Sequence, residues 1–157
     1  MQKKILVSEC LFGDHIVRYD AGSVPLLDPV FLRWKEEGRL VPVCPEVFGG
    51  LPTPRPDAQR RDGGVFTGGG ADVTEAFRRG AEEALRLARE EDVCFCVMKS
   101  DSPSCGSKEI YDGTFTGSKA PGQGLAVELL REAGFTVFDE HDIHAAAELF
   151  DRLERIE

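Results

Sequence analysis

Cys44 and Glu46, two residues apart in the stretch VPVCPEVFGGLPTPRP (Val41–Pro56), are the residues of this 157-residue chain best placed by type and spacing for chemistry. A short apolar run, Leu40–Val43, feeds straight into them, and the Gly/Pro-rich path that follows reads as neither helix nor central strand. A thiol and a carboxylate fixed by Pro45 on a rigid turn at a strand end are placed for reaction or ligation rather than packing. Cys10, just after KILVS, and Cys105, a few residues after VCFCVM, obey the same rule, each beside a turn-former such as Gly13, Pro103 or Gly106. Thiolates are soft ligands suited to zinc, copper(I) or an iron–sulfur cluster. Structural sites of these kinds normally use four protein ligands, so three would leave one position open to a substrate atom. His15 is the candidate for a fourth ligand. On the residues alone, three readings stay open: cluster or metal catalysis, a metal with a further ligand, and unliganded thiols. Cys94 and Cys96 alternate in VCFCVM and read as core residues sharing one sheet face.

The elements that must position these groups follow from periodicity. Lys4–Ser8, Leu40–Val43, Val93–Met98 and Phe135–Phe138 read as strands, short apolar runs bounded by turn residues. Between them lie helical stretches. Asp28-Pro29 supplies a cap and a first-turn proline for a helix ending near Gly38. Asp72–Glu75 resembles a capping box opening a helix over about Val73–Glu91. A third helix runs from Gly124 to Ala133, closed by Gly134. The last, Ile143–Ile156, would turn Ile143, Ala147, Phe150, Leu153 and Ile156 inward. Residues 47–72 carry no helical period and hold at most a hairpin at Asp62-Gly63-Gly64, and Asp112-Gly113 signals a second, tight hairpin. Strands alternating with helices predict one α/β domain over residues 1–157, a small three-layer Rossmann-like fold with a mainly parallel sheet. In such a sheet the carboxyl ends of the strands share an edge, so the three cysteines could converge there.

Composition narrows the partners. A formal charge of −9 argues against a nucleic-acid backbone as the main partner. The apolar run near the N-terminus is too short for a signal peptide, and no segment is long enough to cross a bilayer. These features predict a cytoplasmic protein, whose five cysteines are free thiols, ligands or catalytic groups rather than disulfides. Arg18 and Tyr19 lie in a polar loop that could reach a ligand. The glycines at 68–70 and 122–124 read as flexible connections.

Taken together, VSECLFG with Val17-Arg18-Tyr19-Asp20, VCPEVFGGLPTPRP, GADVTEAFRRGA, SDSPSCG, and IYDGTFTG with GQG resemble the thiouracil desulfidase-like family, long described as a domain of unknown function. The match covers nearly the whole chain in one order. The resemblance implies a [4Fe-4S] cluster held by Cys10, Cys44 and Cys105, with one iron free of protein ligand to take the sulfur of a thiolated base. The implied reaction removes sulfur from a thiolated pyrimidine such as 2-thiouracil, giving uracil and sulfide without net electron transfer. Glu46 would serve as general base and acid, which requires a carboxyl tuned by its surroundings, and Ser102 would orient water or a ring group. Arg55, Lys99 and Ser104 are candidates for substrate contact, with a Lys99–Asp101 salt bridge as the competing role for Lys99. Glu9 departs from the family pattern, which more often has a small residue there. Two other classes compete: an iron–sulfur sulfide carrier acting with a docking partner, and a structural zinc protein.

Overall fold

The structure, a computed structural model, describes residues 2–156. In chain order the elements are β1 (Ile5–Ser8), α1 (Glu9–Phe12), α2 (Pro29–Glu36), β2 (Leu40–Val43), α3 (Pro45–Phe48), β3 (Ala58–Arg61), β4 (Gly64–Thr67), α4 (Thr74–Glu90), β5 (Phe95–Met98), β6 (Glu109–Tyr111), β7 (Lys119–Pro121), α5 (Leu125–Glu132), β8 (Val137–Asp139) and α6 (Ile143–Ile156), with a 3-10 turn at Glu140–Asp142. Strands β2, β1, β5 and β8 form an all-parallel sheet in that order, with Ser8 opposite Val43 and Val7 opposite Val97. Alternate residues of β5 face opposite layers. Cys96 and Met98 enter the core beneath α4 and α5, whereas Phe95 and Val97 pack with Phe31 and Trp34 of α2 and Phe150 of α6. The expected three-layer α/β fold is therefore present, and burial on both faces explains the unbroken apolar reading of β5.

The sheet's topology sets the site. The chain steps from β1 to β2 on one side, then crosses to β5 on the other, so direction reverses around β1. The crevice beyond the carboxyl ends of strands at such a reversal is where open α/β sheets bind ligands.

Several local expectations change. Residues 47–72 are not structureless: α3 is a single helical turn with Cys44 at its N-cap and Pro45 at its first position, and β3–β4 is a hairpin. Its two-residue turn, Asp62-Gly63, has positive φ at both positions, as the twist of paired strands demands. The Asp72–Glu75 box does not form. The Thr74 N–H donates to Asp72 Oδ1 and the Thr74 hydroxyl accepts from the Val65 N–H, so these groups tie the hairpin to α4. Asp112-Gly113 makes no tight hairpin, because Asp112 accepts from the Thr114 N–H and hydroxyl and β7 begins only at Lys119. Cys94 lies at a bend before β5 and packs toward α2 and α6, the layer opposite Cys96, so the pair does not share a face. Ile156 is 80% exposed and does not turn inward. The Asp28 cap is present, accepting from the Val30 and Phe31 N–H groups.

Lys99 and Asp101, beyond β5, do not pair with each other. Lys99 Nζ lies 2.7 Å from Glu140 Oε2, and Asp101 pairs with Lys119 at 2.9 Å. Glu140 also accepts from the Ser100 N–H and hydroxyl, so it anchors the loop leaving β5 to the end of β8. Burial alone would raise the Glu140 carboxyl, but Lys99 and the backbone N–H donors outweigh it and hold the group below its ordinary value. A lowered carboxylate stabilises the fold above its unfolded pKa, about 4.3, and that contribution is lost as pH falls through the folded value. Glu140→Gln is therefore expected to cost about 1.5–3 kcal/mol at neutral pH, the scale of hydrogen bonds to a charged group. The deficit should begin to shrink as pH falls below about 4.3, where the unfolded chain protonates, and close at the lower pH where the folded carboxyl does. Urea unfolding at both pH values checks this; a deficit independent of pH would assign the loss to packing.

Candidate active site

Three ligand candidates arrive on three different structures. Cys10 rides on α1, the single turn that follows β1 and stops at Gly13, whose φ of 89° is left-handed. Cys44 ends β2 and caps α3. Cys105 sits in the Pro103–Cys105 turn, whose carbonyls accept from the first N–H groups of α5: Pro103 from Leu125, and Ser104 from Ala126. No side chain caps α5; the cysteine turn serves instead.

Three glycines bring these turns against helices. A Cβ on Gly80, within α4, would overlap the Pro45 carbonyl, and one on Gly49 would overlap the Ala76 carbonyl. A Cβ on Gly124 would overlap the backbone of Ser104 and Cys105. The Gly122-Gln123-Gly124 stretch is thus not simply a flexible connection, since Gly124 is a point of backbone contact behind Cys105.

All three cysteines line one cavity of about 390 Å³, together with Glu46, Arg55 and Lys99. That volume falls in the range of small-molecule sites. Burial, then the nearby Cys44 thiol, pushes the Cys10 thiol up to about 12, with Lys99 and Arg18 opposing. Burial also pushes Cys44 up and, reinforced by Cys10 and Cys44, pushes Cys105 up strongly. Thiols raised in this way are poor free nucleophiles at neutral pH. A cationic centre that takes all three sulfurs would reverse the penalty, so the donor set fits a metal-based group. Among the described residues, no group of three or more His, Cys, Asp and Glu side chains is arranged to hold a single metal ion. Three thiols on one cavity wall suit a multi-iron cluster, in which each sulfur binds a different iron. His15, 72% exposed, pairs with Glu9 at 2.9 Å and is absent from the cavity wall; Glu9 itself lines the cavity.

Glu46 stands in the first turn of α3 with both oxygens engaged. Arg55 Nε donates to Oε1 at 2.9 Å, and the Ser104 hydroxyl donates to Oε2 at 2.9 Å. The Arg55 side chain is 5% exposed and directs three further N–H groups within the protein, to the carbonyls of Pro52 and Val17 and the Thr53 hydroxyl. Its direct work is to hold Glu46 and the Val17 loop. Ser102 Oγ accepts from the Ser104 and Cys105 N–H groups and lies 3.0 Å from Ser104 Oγ. Because Ser104 donates its one hydroxyl proton to Glu46, Ser102 must donate to Ser104. The result is a directed chain, Ser102 to Ser104 to Glu46, that also shapes the Cys105 turn. Ser102 therefore has no hydroxyl proton left over for water or a ring group in this arrangement.

Apart from His15, every site residue expected from the sequence lies on this cavity, although Arg55, Lys99 and Ser102 are bound to protein partners there. Among the other wall residues, Asp57, Gln59, Tyr111 and Phe115 escaped the sequence reading as parts of the site. The first two precede the Asp62-Gly63 turn at an i, i+2 spacing that could have marked a shared strand face. Burial, with the Glu46 carboxylate adding to it, raises the Asp57 carboxyl.

The chain is similar to known proteins. A solved structure described as the [4Fe-4S]-dependent thiouracil desulfidase TudS is 44% identical, with a TM-score of 0.92 over 96% of this chain and 99% of that one. The uncharacterized protein YbbK of Bacillus subtilis (strain 168) is 37% identical over 150 residues, which is 89% of this chain and 97% of that protein. The family model for 2-thiouracil desulfurase matches residues 5–142. The chain belongs to the 2-thiouracil desulfurase family.

Proposed function

We propose that the protein is a [4Fe-4S]-dependent desulfidase that converts a thiolated pyrimidine such as 2-thiouracil to uracil and sulfide. The observation that carries this reading is the placement of three cysteines, Cys105 buried and Cys10 and Cys44 partly buried, and an oriented carboxylate on one cavity. Cys10, Cys44 and Cys105 would hold the cluster, and the TudS likeness supports that assignment. When bound, the cluster supplies a Lewis acid for the thiocarbonyl sulfur at the iron that lacks a protein ligand.

The remaining chemistry falls to the chain's own residues. Overall, C=S and water become C=O and hydrogen sulfide: the water oxygen ends on the ring carbon, its protons leave with sulfur, and no electrons are gained or lost. Glu46 accepts a proton from the attacking water and returns one to the departing sulfur, as general base and then acid. Arg55 fixes one carboxylate oxygen and Ser104 the other, so the carboxyl cannot swing out of the cavity. Ser102 orients Ser104. Lys99 and Arg18 contribute positive charge near Cys10, which favours its thiolate.

Anaerobic cluster reconstitution followed by a sulfide-release assay over thiolated bases and nucleosides tests the reading. The expected result is a brown protein that releases sulfide and uracil in equal amounts over many turnovers without a reductant. Turnover by colourless zinc-loaded protein, or a single turnover that requires a partner protein, would overturn it.

A further inference from the structure

Gln59 is only 5% exposed, yet one end of its amide has no partner. Its Oε1 accepts from two backbone N–H groups of the loop between β6 and β7, Gly113 at 3.0 Å and Phe115 at 3.3 Å. That pair of donors fixes the amide's orientation, because the flipped form would set NH2 against two N–H groups. The Nε2 group is therefore the free end. No protein atom accepts from it, and it is not among the fully enclosed unpaired atoms of the described residues, which are Trp34 Nε1 and Ser107 Oγ. Gln59 lines the cavity that also holds the three cysteines and Glu46. A pre-oriented donor of this kind, with its side chain immobilised, selects an acceptor and penalises a donor placed opposite it.

Phe115 and Tyr111 line the same cavity and offer ring surface to a flat ligand. Phe115 is carried by the loop whose N–H groups orient Gln59, so the amide and this wall are built together. The loop also sits tightly on the hairpin, since a Cβ on Gly113 would meet the Arg60 carbonyl at 2.7 Å.

We infer that Gln59 is a specificity-determining residue that donates a hydrogen bond to the exocyclic oxo group of a flat heterocycle, the group that survives the reaction. The inference rests on the desulfidase reading, in which the attacked thiocarbonyl and a separate ring carbonyl belong to one base. A substrate with an oxo group at that second position is accepted. One with an amino group there meets donor against donor and is rejected.

Gln59→Glu separates these cases with little change of shape. The carboxylate keeps an oxygen for the Gly113 and Phe115 N–H groups, and it turns the cavity-facing donor into an acceptor. Two readouts apply to the reconstituted protein: calorimetric binding of uracil and cytosine, which needs no turnover, and relative kcat/KM for 2-thiouracil and 2-thiocytosine. Wild type is expected to favour the oxo compound by about 10–100-fold, the scale of one well-placed base contact, and Gln59→Glu to invert the order. Gln59→Met, which has no hydrogen-bonding amide, should bring the ratio near one. An unchanged preference in either variant, or no binding of either base to wild type, would overturn the inference. If binding preference inverts while no thiolated base is desulfurated, the recognition role stands and the desulfidase reading falls. If desulfuration proceeds with an unchanged ratio, the reverse holds.

Discussion

Glu46→Gln is expected to leave the cluster in place and lower sulfide release by about 10²–10⁴-fold, the usual share of general acid–base catalysis. The substitution preserves volume and keeps a carbonyl oxygen that can accept from Arg55 Nε or from the Ser104 hydroxyl. It removes the capacity to take up a proton at neutral pH. Cys44, two residues earlier, is held by the end of β2 and by Pro45, neither of which changes, so visible absorption should persist. Some stability will be lost, because Arg55 is nearly buried and no longer faces a charge. Cluster content per chain must therefore be measured beside turnover. Wild-type turnover in a fully loaded variant would remove Glu46 from proton transfer and leave it a support for Arg55. Loss of cluster with loss of turnover would show that the carboxylate is needed to build the site.

The parts of this molecule that were legible in the sequence are those whose signals are local. Strands β1, β2 and β5 are apolar runs, and each cysteine that follows one is placed by the rule that parallel strands end on a common edge. The Asp28 cap and the Asp62-Gly63 turn are equally local, since short-range backbone geometry demands those residues. What escaped depends on distant backbone. Helix α3 is four residues long, too short to show a period, and its Gly/Pro surroundings hid it. Asp112-Gly113 carries the residues of a tight hairpin, but Thr114 captures the Asp112 side chain and the chain opens into a longer loop. Gln59 has no signal of its own; its meaning comes from N–H groups on a loop more than fifty residues away. Likewise, the engagement of Arg55 and Lys99 by Glu46 and Glu140 was not visible from spacing. The family was legible through a set of motifs in one order, whereas the partners of the cavity residues required the hydrogen bonds.

The largest structural losses are expected not at polar groups but at Gly80 and Gly124, neither of which touches the cavity. At each, a single methyl group would collide with backbone: the Pro45 carbonyl for Gly80, and the Ser104–Cys105 peptide for Gly124. Backbone cannot rotate aside as a side chain can, so the ligand turn itself must shift or the helix must withdraw. Gly80→Ala would displace α3, and with it Cys44 and Glu46. Gly124→Ala would displace Cys105 and the α5 N-terminus that its turn caps. In an exposed helix interior, glycine to alanine normally stabilises, by about 1 kcal/mol. Here overpacking should dominate, with a net loss of about 1–3 kcal/mol or more. Because the three sulfurs must converge on one group, a shift of one turn should reduce cluster loading more steeply than it lowers stability. Gly69→Ala is the control, since the nearest atom to its Cβ would be Thr67 Oγ1 at 4.0 Å and its φ is not left-handed. Iron and sulfide content per chain, measured beside urea midpoints, distinguishes the outcomes. Gly80→Ala or Gly124→Ala proteins that load the cluster as fully as Gly69→Ala would show that the turns hold their cysteines without this backing. Proteins that still fold but fail to load would show that the ligand geometry is fixed from behind, by helices pressed against backbone.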